Sequence, residues 1–427
     1  MVGTMSISEQ YAELLAARRS MAPTLSQKLF VWGLLAMKVN AWASESEAIF
    51  GIPQVVKYVL VLFALFSLGY MVYQRPQTLR YYGVNGVVVA LFCVYSVWLA
   101  AGTVKTGGRY VQFLLGAKYY VLPFILPIFL LLSKYDMRLI SYLMKFSLKL
   151  LPLNFLCLFS VMATINPDNW YEHLYRLHIF NFALPFVLLN IHYLLGKAKQ
   201  RNLLIILYLG LMLVGAIYGR RGYVLDMIFM FAFYYLLMSF NRVVSVAKKV
   251  RSFVIVGIAV FAFIMALGFL SKKLYIFERG LDKDGWDESR GSVFRDFFSD
   301  FGTKTGDWIW GRGLDGKVLR TMDIEGGGYG DTIENGYLYI FLKAGGIYLV
   351  MMMLLFLHAA FLGWFKTSNQ LTKAASATIM IHVIGMISFN LPVFNAEYAM
   401  VWISVGICYS GEIRKLSDQK VKLLLNL

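Results

Sequence analysis

Residues 203–240 read LLIILYLGLMLVGAIYGRRGYVLDMIFMFAFYYLLMSF. Two apolar runs, each close to the roughly 20 residues that a bilayer-crossing helix needs, flank the pair Arg220-Arg221. The same alternation of long apolar run and short polar break recurs along nearly the whole chain. Twelve such runs are predicted to span a membrane: 27–43, 55–74, 84–103, 116–133, 139–163, 178–196, 203–219, 222–240, 253–271, 336–362, 375–391 and 394–411. The first is the weakest, being short and carrying Lys38. The composition agrees, with 59% hydrophobic residues and 16% aromatics among 427. The expected fold is an all-α polytopic membrane protein of about twelve transmembrane helices.

Charge sets the expected orientation. The chain carries a net +17, and a soluble protein with that surplus would suggest nucleic acid. Here the cations concentrate in alternate loops, of which the one holding Arg242, Lys248, Lys249 and Arg251 is the densest. The 44–54 loop on the other side holds Glu45 and Glu47 and no Lys or Arg. Cytoplasmic loops of membrane proteins are enriched in Lys and Arg. Both termini are therefore expected in the cytoplasm, with the basic loops facing anionic headgroups and no nucleic-acid partner. No cleavable leader is evident in the first 25 residues, so insertion is expected to use the spans. Cys93, Cys157 and Cys408 all fall inside apolar runs and form no disulfide or ligand spacing.

Three units follow. Residues 1–271 form a membrane domain with nine predicted spans, 272–335 a long external loop, and 336–427 three further spans with a cytoplasmic tail. The loop replaces Leu, Ile and Val with Gly, Asp, Arg and aromatics. Near 292–301 it has helical periodicity, with Val293, Phe294, Phe297, Phe298 and Phe301 on one face and Arg295, Asp296 and Asp300 opposite. An amphipathic helix is expected there, followed by Trp308 and Trp310, which suit a membrane interface. Gly311-Arg312-Gly313-Leu314-Asp315-Gly316 fits a dinucleotide fingerprint in letters only, because neither a preceding strand nor a following helix is predicted. The five histidines form no ligand set. No metal and no cofactor is expected.

Six cations break the charge rule by lying outside with few acidic neighbours: Lys105, Arg109, Lys118, Arg176, Arg220 and Arg221. Snorkelling to headgroups explains Lys105 and Lys118. For Arg176 and the Arg220-Arg221 pair a phosphate-bearing substrate is the better account, since guanidinium forks match phosphate oxygens. Glu334 sits where the chain re-enters the membrane. Position alone leaves two roles open for it: a general base with a raised pKa, or a cap of the tenth span.

Four short motifs in this order resemble the O-antigen polymerase and ligase superfamily, bacterial membrane glycosyltransferases of GT-C-like architecture. Arg176-Leu177-His178-Ile179-Phe180-Asn181 with Pro185 is similar to the family's arginine-led R-L-x-G-F-x-N-P segment, with Ile179 in place of the Gly. Gly219-Arg220-Arg221-Gly222 resembles its S-R-G turn, and Gly311-Arg312-Gly313 its G-x-G. Glu334-Asn335-Gly336-Tyr337-Leu338 with Gly345 resembles its H-N-x-Y-L … G-I-x-G stretch, with Glu334 where the ligases carry His. Glutamate there is closer to the polymerases of O-antigen, capsule and exopolysaccharide. The resemblance covers roughly residues 170–365.

It implies a metal-independent enzyme facing the periplasm from the bacterial inner membrane, acting on undecaprenyl-diphosphate-linked glycans. Glu334, Arg176 and Arg221 are the implied catalytic residues; Arg109, Arg220, Arg312, Asn335 and Tyr337 are the candidate substrate contacts. Membrane lipid and a chain-length regulator are the implied partners. A ligase acting on lipid A-core or protein, and a lipid-linked oligosaccharide flippase, are the competing expectations.

Overall fold

The computed structural model describes residues 22–45, 52–102, 115, 119–163, 183–194, 197–218, 221–240, 247, 250, 294–302, 304–320, 328–330, 333, 335–387 and 391–425. The protein is mostly helical. In chain order the main helices are α1 (Leu25–Glu45), α2 (Gln54–Gln74), α3 (Gly86–Gly102), α4 (Leu122–Leu131), α5 (Met137–Lys149), α6 (Leu151–Ala163) and α7 (Leu184–Leu189). They continue with α8 (Ala198–Ile217), α9 (Arg221–Phe240), α10 (Thr305–Trp310), α11 (Gly336–Phe365), α12 (Gln370–Gly385) and α13 (Ala396–Tyr409). Among the described residues, α2, the continuous pair α5–α6, α8 and α11 are long and apolar enough to cross a membrane. Helices α3, α4 and α13 and most of α9 are shorter and equally apolar. The chain is embedded in a membrane through these helices.

Ten of the predicted spans overlap a helix or helix pair named above, and among the described residues four of these are long and apolar enough to cross a membrane. The ninth, 253–271, lies outside the described residues. The sixth, 178–196, differs: its described part is α7, six residues long, followed by a 3-10 turn at Ile191–Leu194. Pro185 fixes the helix start, and the Asn190 side chain bonds back to Phe186 O at 2.8 Å where the helix ends. Six residues cannot cross a bilayer. Leu184, Phe186, Val187, Leu188 and Leu189 are all buried, so α7 is an internal core helix.

Small residues and buried polar pairs hold the bundle together. A methyl group at Gly33 of α1 would meet Ser67 Cβ of α2 at 2.7 Å, the close approach that small residues allow between membrane helices. Trp402 of α13 lies at the centre, packed against Phe92 of α3 and Phe356 of α11. Polar contacts sort the helix ends into two sets. At one end Asp136 takes Gln27 at 2.8 Å and Arg75 at 2.7 Å. One turn into the same helix, Ser141 donates to Leu425 O at the chain's far end. Asp418 accepts from Tyr193 Oη and from Gln370 N, both at 2.7 Å. Each of these pairings joins segments that the charge pattern places on one side.

The opposite end holds the explanation for the weak first span. Lys38, almost wholly buried, forms an ion pair with Glu397 in the first turn of α13. A lone ammonium in an apolar helix is costly, and a carboxylate partner lets α1 keep it. Lys38→Met should therefore lower the thermal stability of the detergent-solubilised protein. The loss should fall below the about 3–5 kcal/mol of a fully buried pair, because the Glu397 side chain is 34% exposed. Lys38→Met combined with Glu397→Leu should recover most of it; equal losses in single and double variants would exclude the pair as the source.

Candidate functional site

The described part of the polar segment builds a small unit against the start of α11. Residues 294–301 are helical, as the periodicity predicts. The buried stripe is narrower than expected. Phe297 and Phe301 are fully buried with Val318, Ile333, Leu338 and Leu342, whereas Phe294 and Phe298 stay exposed and stack on each other. Asp296 and Asp300, expected opposite the aromatic face, turn inward instead. For Asp300 the reason is Arg312, whose guanidinium reaches it at 2.6 Å.

Arg312 is the clamp of this unit. Its Nε donates to Asp307 at 2.7 Å, Nη1 to Asp300 and to Lys317 O, and its plane covers the Phe301 ring at 4.5 Å. Asp300 also accepts from Leu319 N, tying the clamp to a two-stranded antiparallel ladder that pairs β1 (Val318–Arg320) with β2 (Gly328–Gly330). Burial acts to raise the Asp300 pKa, but the bonds from Arg312 and Leu319 N outweigh it and hold the carboxyl below its usual range. The same bond to Asp300 raises Arg312. A guanidinium so committed serves the segment itself and has few donors left for a substrate.

The central feature is a break in α11. Gly345 has φ 72 and ψ 178 inside the helix, a conformation open to glycine. Into this break fits Gly311, itself at φ 75. A methyl at Gly311 would lie 2.6 Å from Gly345 N, and one at Gly345 would lie 2.5 Å from Gly311 N and closer still to Ile309 O. The carbonyls that the break frees find partners. Arg312 N donates to Leu342 O at 2.8 Å, and Tyr95 Oη of α3 donates to Ala344 O at 2.9 Å. Lys343, 1% exposed, gives its ammonium to Gly316 O at 2.9 Å and faces the rings of Tyr120 and Tyr339. Residues 305–316 are thus a strap laid into the break.

Beyond the break, residues 336–344 fold back. Helices α11 and α12 are antiparallel, joined by a short turn. Ser376 Oγ bonds Ala360 O near that turn, and Gly336 N bonds Met386 O at the far end. Met386 stands about 15 Å above Ser376 and Gly345 about 22 Å above Ala360, at 1.5 Å per residue. A straight α11 would carry Gly336 about 13 Å beyond Gly345, so its bond to Met386 shows that this part does not continue the helix axis. The half-helix is therefore bent back at the break, and its N-terminus sits against the end of α12.

At that N-terminus Asn335 caps the helix, accepting from Leu338 N at 3.0 Å while its Nδ2 donates to Ile387 O at 2.8 Å. The cap position itself is thus held by Asn335. Tyr337 Oη donates to Val383 O at 2.7 Å, so both candidate contacts are bonded to the end of α12. Arg221 is the first residue of α9. Arg109, Arg176, Arg220 and Glu334 lie outside the described residues. Tyr95 and Glu397 are polar contributors that sequence reasoning did not place at this end. Their signal was weak, since each is a lone polar residue in an apolar run.

No family model matches this chain, and no curated protein or solved structure does either.

The Arg312–Asp300 clamp generates a pH prediction. A carboxyl with a depressed folded-state pKa contributes stability above its unfolded value, and the contribution is lost as pH falls through the folded one. The strap should resist protease at neutral pH and become cleavable below the usual carboxylate range. Asp300→Asn should make it cleavable already at neutral pH; unchanged resistance in that variant would remove the clamp from the account.

Proposed function

We propose that this protein is a polysaccharide polymerase of the O-antigen, capsule or exopolysaccharide type, with twelve spans in a GT-C-like arrangement. It transfers a growing glycan from undecaprenyl diphosphate onto a lipid-linked repeat unit. The reaction takes place at the periplasmic face of the bacterial inner membrane, with both termini in the cytoplasm. The observation that carries this reading is the contact between Gly311 and the Gly345 break. The resemblance singled out these glycines separately, and they form one unit with the helix that Asn335 caps. The fold-back of residues 336–344 adds to it, because the acid–Asn pair then opens a half-helix whose N-terminus favours negative charge.

The chemistry needs few parts. The diphosphate leaving group gathers negative charge as the glycosidic bond breaks. Arg176 and Arg221, with Arg220 and Arg109 at the same face, stabilise that charge, the electrostatic contribution that is usually largest in catalysis. Glu334 takes the proton from the acceptor hydroxyl. One base and no carboxylate nucleophile give direct displacement with inversion at the anomeric carbon. Asn335 and Tyr337 hold the end of α12 against the half-helix and so position the acid beside them. Neither a nucleotide nor a metal enters, and a chain-length regulator is the protein partner this activity calls for.

The broken helix also favours a second reading. Transporters bind substrates at discontinuous helices, and a lipid-linked oligosaccharide flippase would use such a break. Here, however, the strap and Tyr95 fill it, and both conserve the contact that a transport substrate would need to displace. A ligase shares the arginines and differs in its acceptor.

Purified protein incubated with a lipid-diphosphate-linked repeat unit, EDTA and no nucleotide should yield a ladder of longer lipid-linked glycans. Arg221→Lys should reduce the ladder by about a hundredfold, since an ammonium lacks the forked geometry. Glu334→Gln should insert normally and make no polymer. Transfer only to a lipid A-core acceptor would identify a ligase, and inertness with both acceptors would favour transport.

A further inference from the structure

Exposed apolar side chains mark where lipid touches the helices. On α11 they are Val350, Leu354, Leu357, Phe361 and Phe365, spaced along one stripe. Among the described residues none of this kind occurs between 336 and 344; that half is covered by the strap and the 294–301 helix. The part of α11 that faces lipid thus runs from the break to Phe365, about 29 Å, matching the roughly 30 Å of a hydrocarbon core. Helix α3 carries a parallel stripe of Val87, Leu91, Val94 and Trp98. Both stripes stop at one level, because Tyr95, a turn from Trp98, bonds Ala344 O and Trp310 O.

At that level sits an aromatic group. Trp98 and Trp310 are 54% and 50% exposed, their rings lie 6.2 Å apart, and Tyr95 stacks on Trp310 at 6.3 Å. Ile309 beside them is also exposed. Trp308, in contrast, is enclosed by Phe297, Phe298, Phe301 and Phe341, so of the two tryptophans expected at an interface only Trp310 is free to reach one. Tryptophan and tyrosine favour the headgroup zone, where the ring is half apolar and its edge is wet.

We propose that the bilayer surface crosses the protein at the Gly345 break and that Ile309, Trp310 and Trp98 form an anchor in its headgroup zone. The occupant of this surface is lipid, because the patch continues the lipid-facing stripe of α3 without a gap. The strap is then held on two sides, by the break in α11 and by the membrane. None of this depends on glycosyl transfer.

The test uses the full chain in lipid nanodiscs and the emission lost on Trp310→Phe, a substitution that keeps an aromatic ring. Lipids brominated high on the acyl chain should quench the larger part of that difference emission. Lipids brominated near the chain end should quench it less, and aqueous iodide least. Trp98→Phe should give the same order. Quenching by iodide with none by either lipid would place Trp310 in water and overturn the proposal. Loss of lipid quenching on adding the lipid-linked glycan, with stable Trp98 emission, would overturn it in favour of a sugar platform.

Discussion

A membrane-embedded helix cannot leave its backbone unpaired, and at Gly345 the ladder of α11 is interrupted and has to be completed from outside the helix. Everything distinctive about the described structure follows from how the break is repaired. Three segments of chain meet there: the strap supplies Gly311 and Arg312 N, α3 supplies Tyr95 Oη, and α11 supplies the freed carbonyls. Only glycine on both sides allows the backbones to come so near. The strap is consequently an integral part of the helix it crosses, and Gly311 and Gly345 belong to the packing as much as any core residue.

Fixing the strap in turn fixes the polar segment around it. Arg312 anchors one side through Leu342 O and the other through Asp300 and Asp307, so one residue couples the break to the 294–301 helix. That coupling rotates the helix until its acids face inward and two of its phenylalanines face out. The same constraint answers the charge of Lys343, which would be untenable in a plain span: Gly316 O and two tyrosine rings receive it. Lys38 is answered by Glu397 across the bundle. Lys38 looked like a defect of its span, and both lysines are in fact joints between elements.

For function, the consequence is a depth. A straight α11 would carry Asn335 well outside the bundle; the fold-back brings it level with the end of α12. Arg312, in the acid-bearing polar segment, is engaged by Asp300 and Asp307, whereas Arg221 belongs to the outer cations with few acidic neighbours.

Hydropathy period and the roughly 20-residue length of the runs determined the helices and the membrane, and the charge of the loops predicted which helix ends share a side. These are local or summed properties, and the chain carries them without folding. The 294–301 helix was legible for the same reason, as was the turn-rich nature of Gly311–Gly316. What only the tertiary structure decided was pairing: Lys38 with Glu397, Arg312 with Asp300, Gly311 with Gly345. It also decided that residues 184–189 stay inside and that α11 folds back. An apolar run states that a segment avoids water but not whether lipid or protein replaces it, and a glycine permits a break without requiring one. Those choices are made by neighbours far away in sequence.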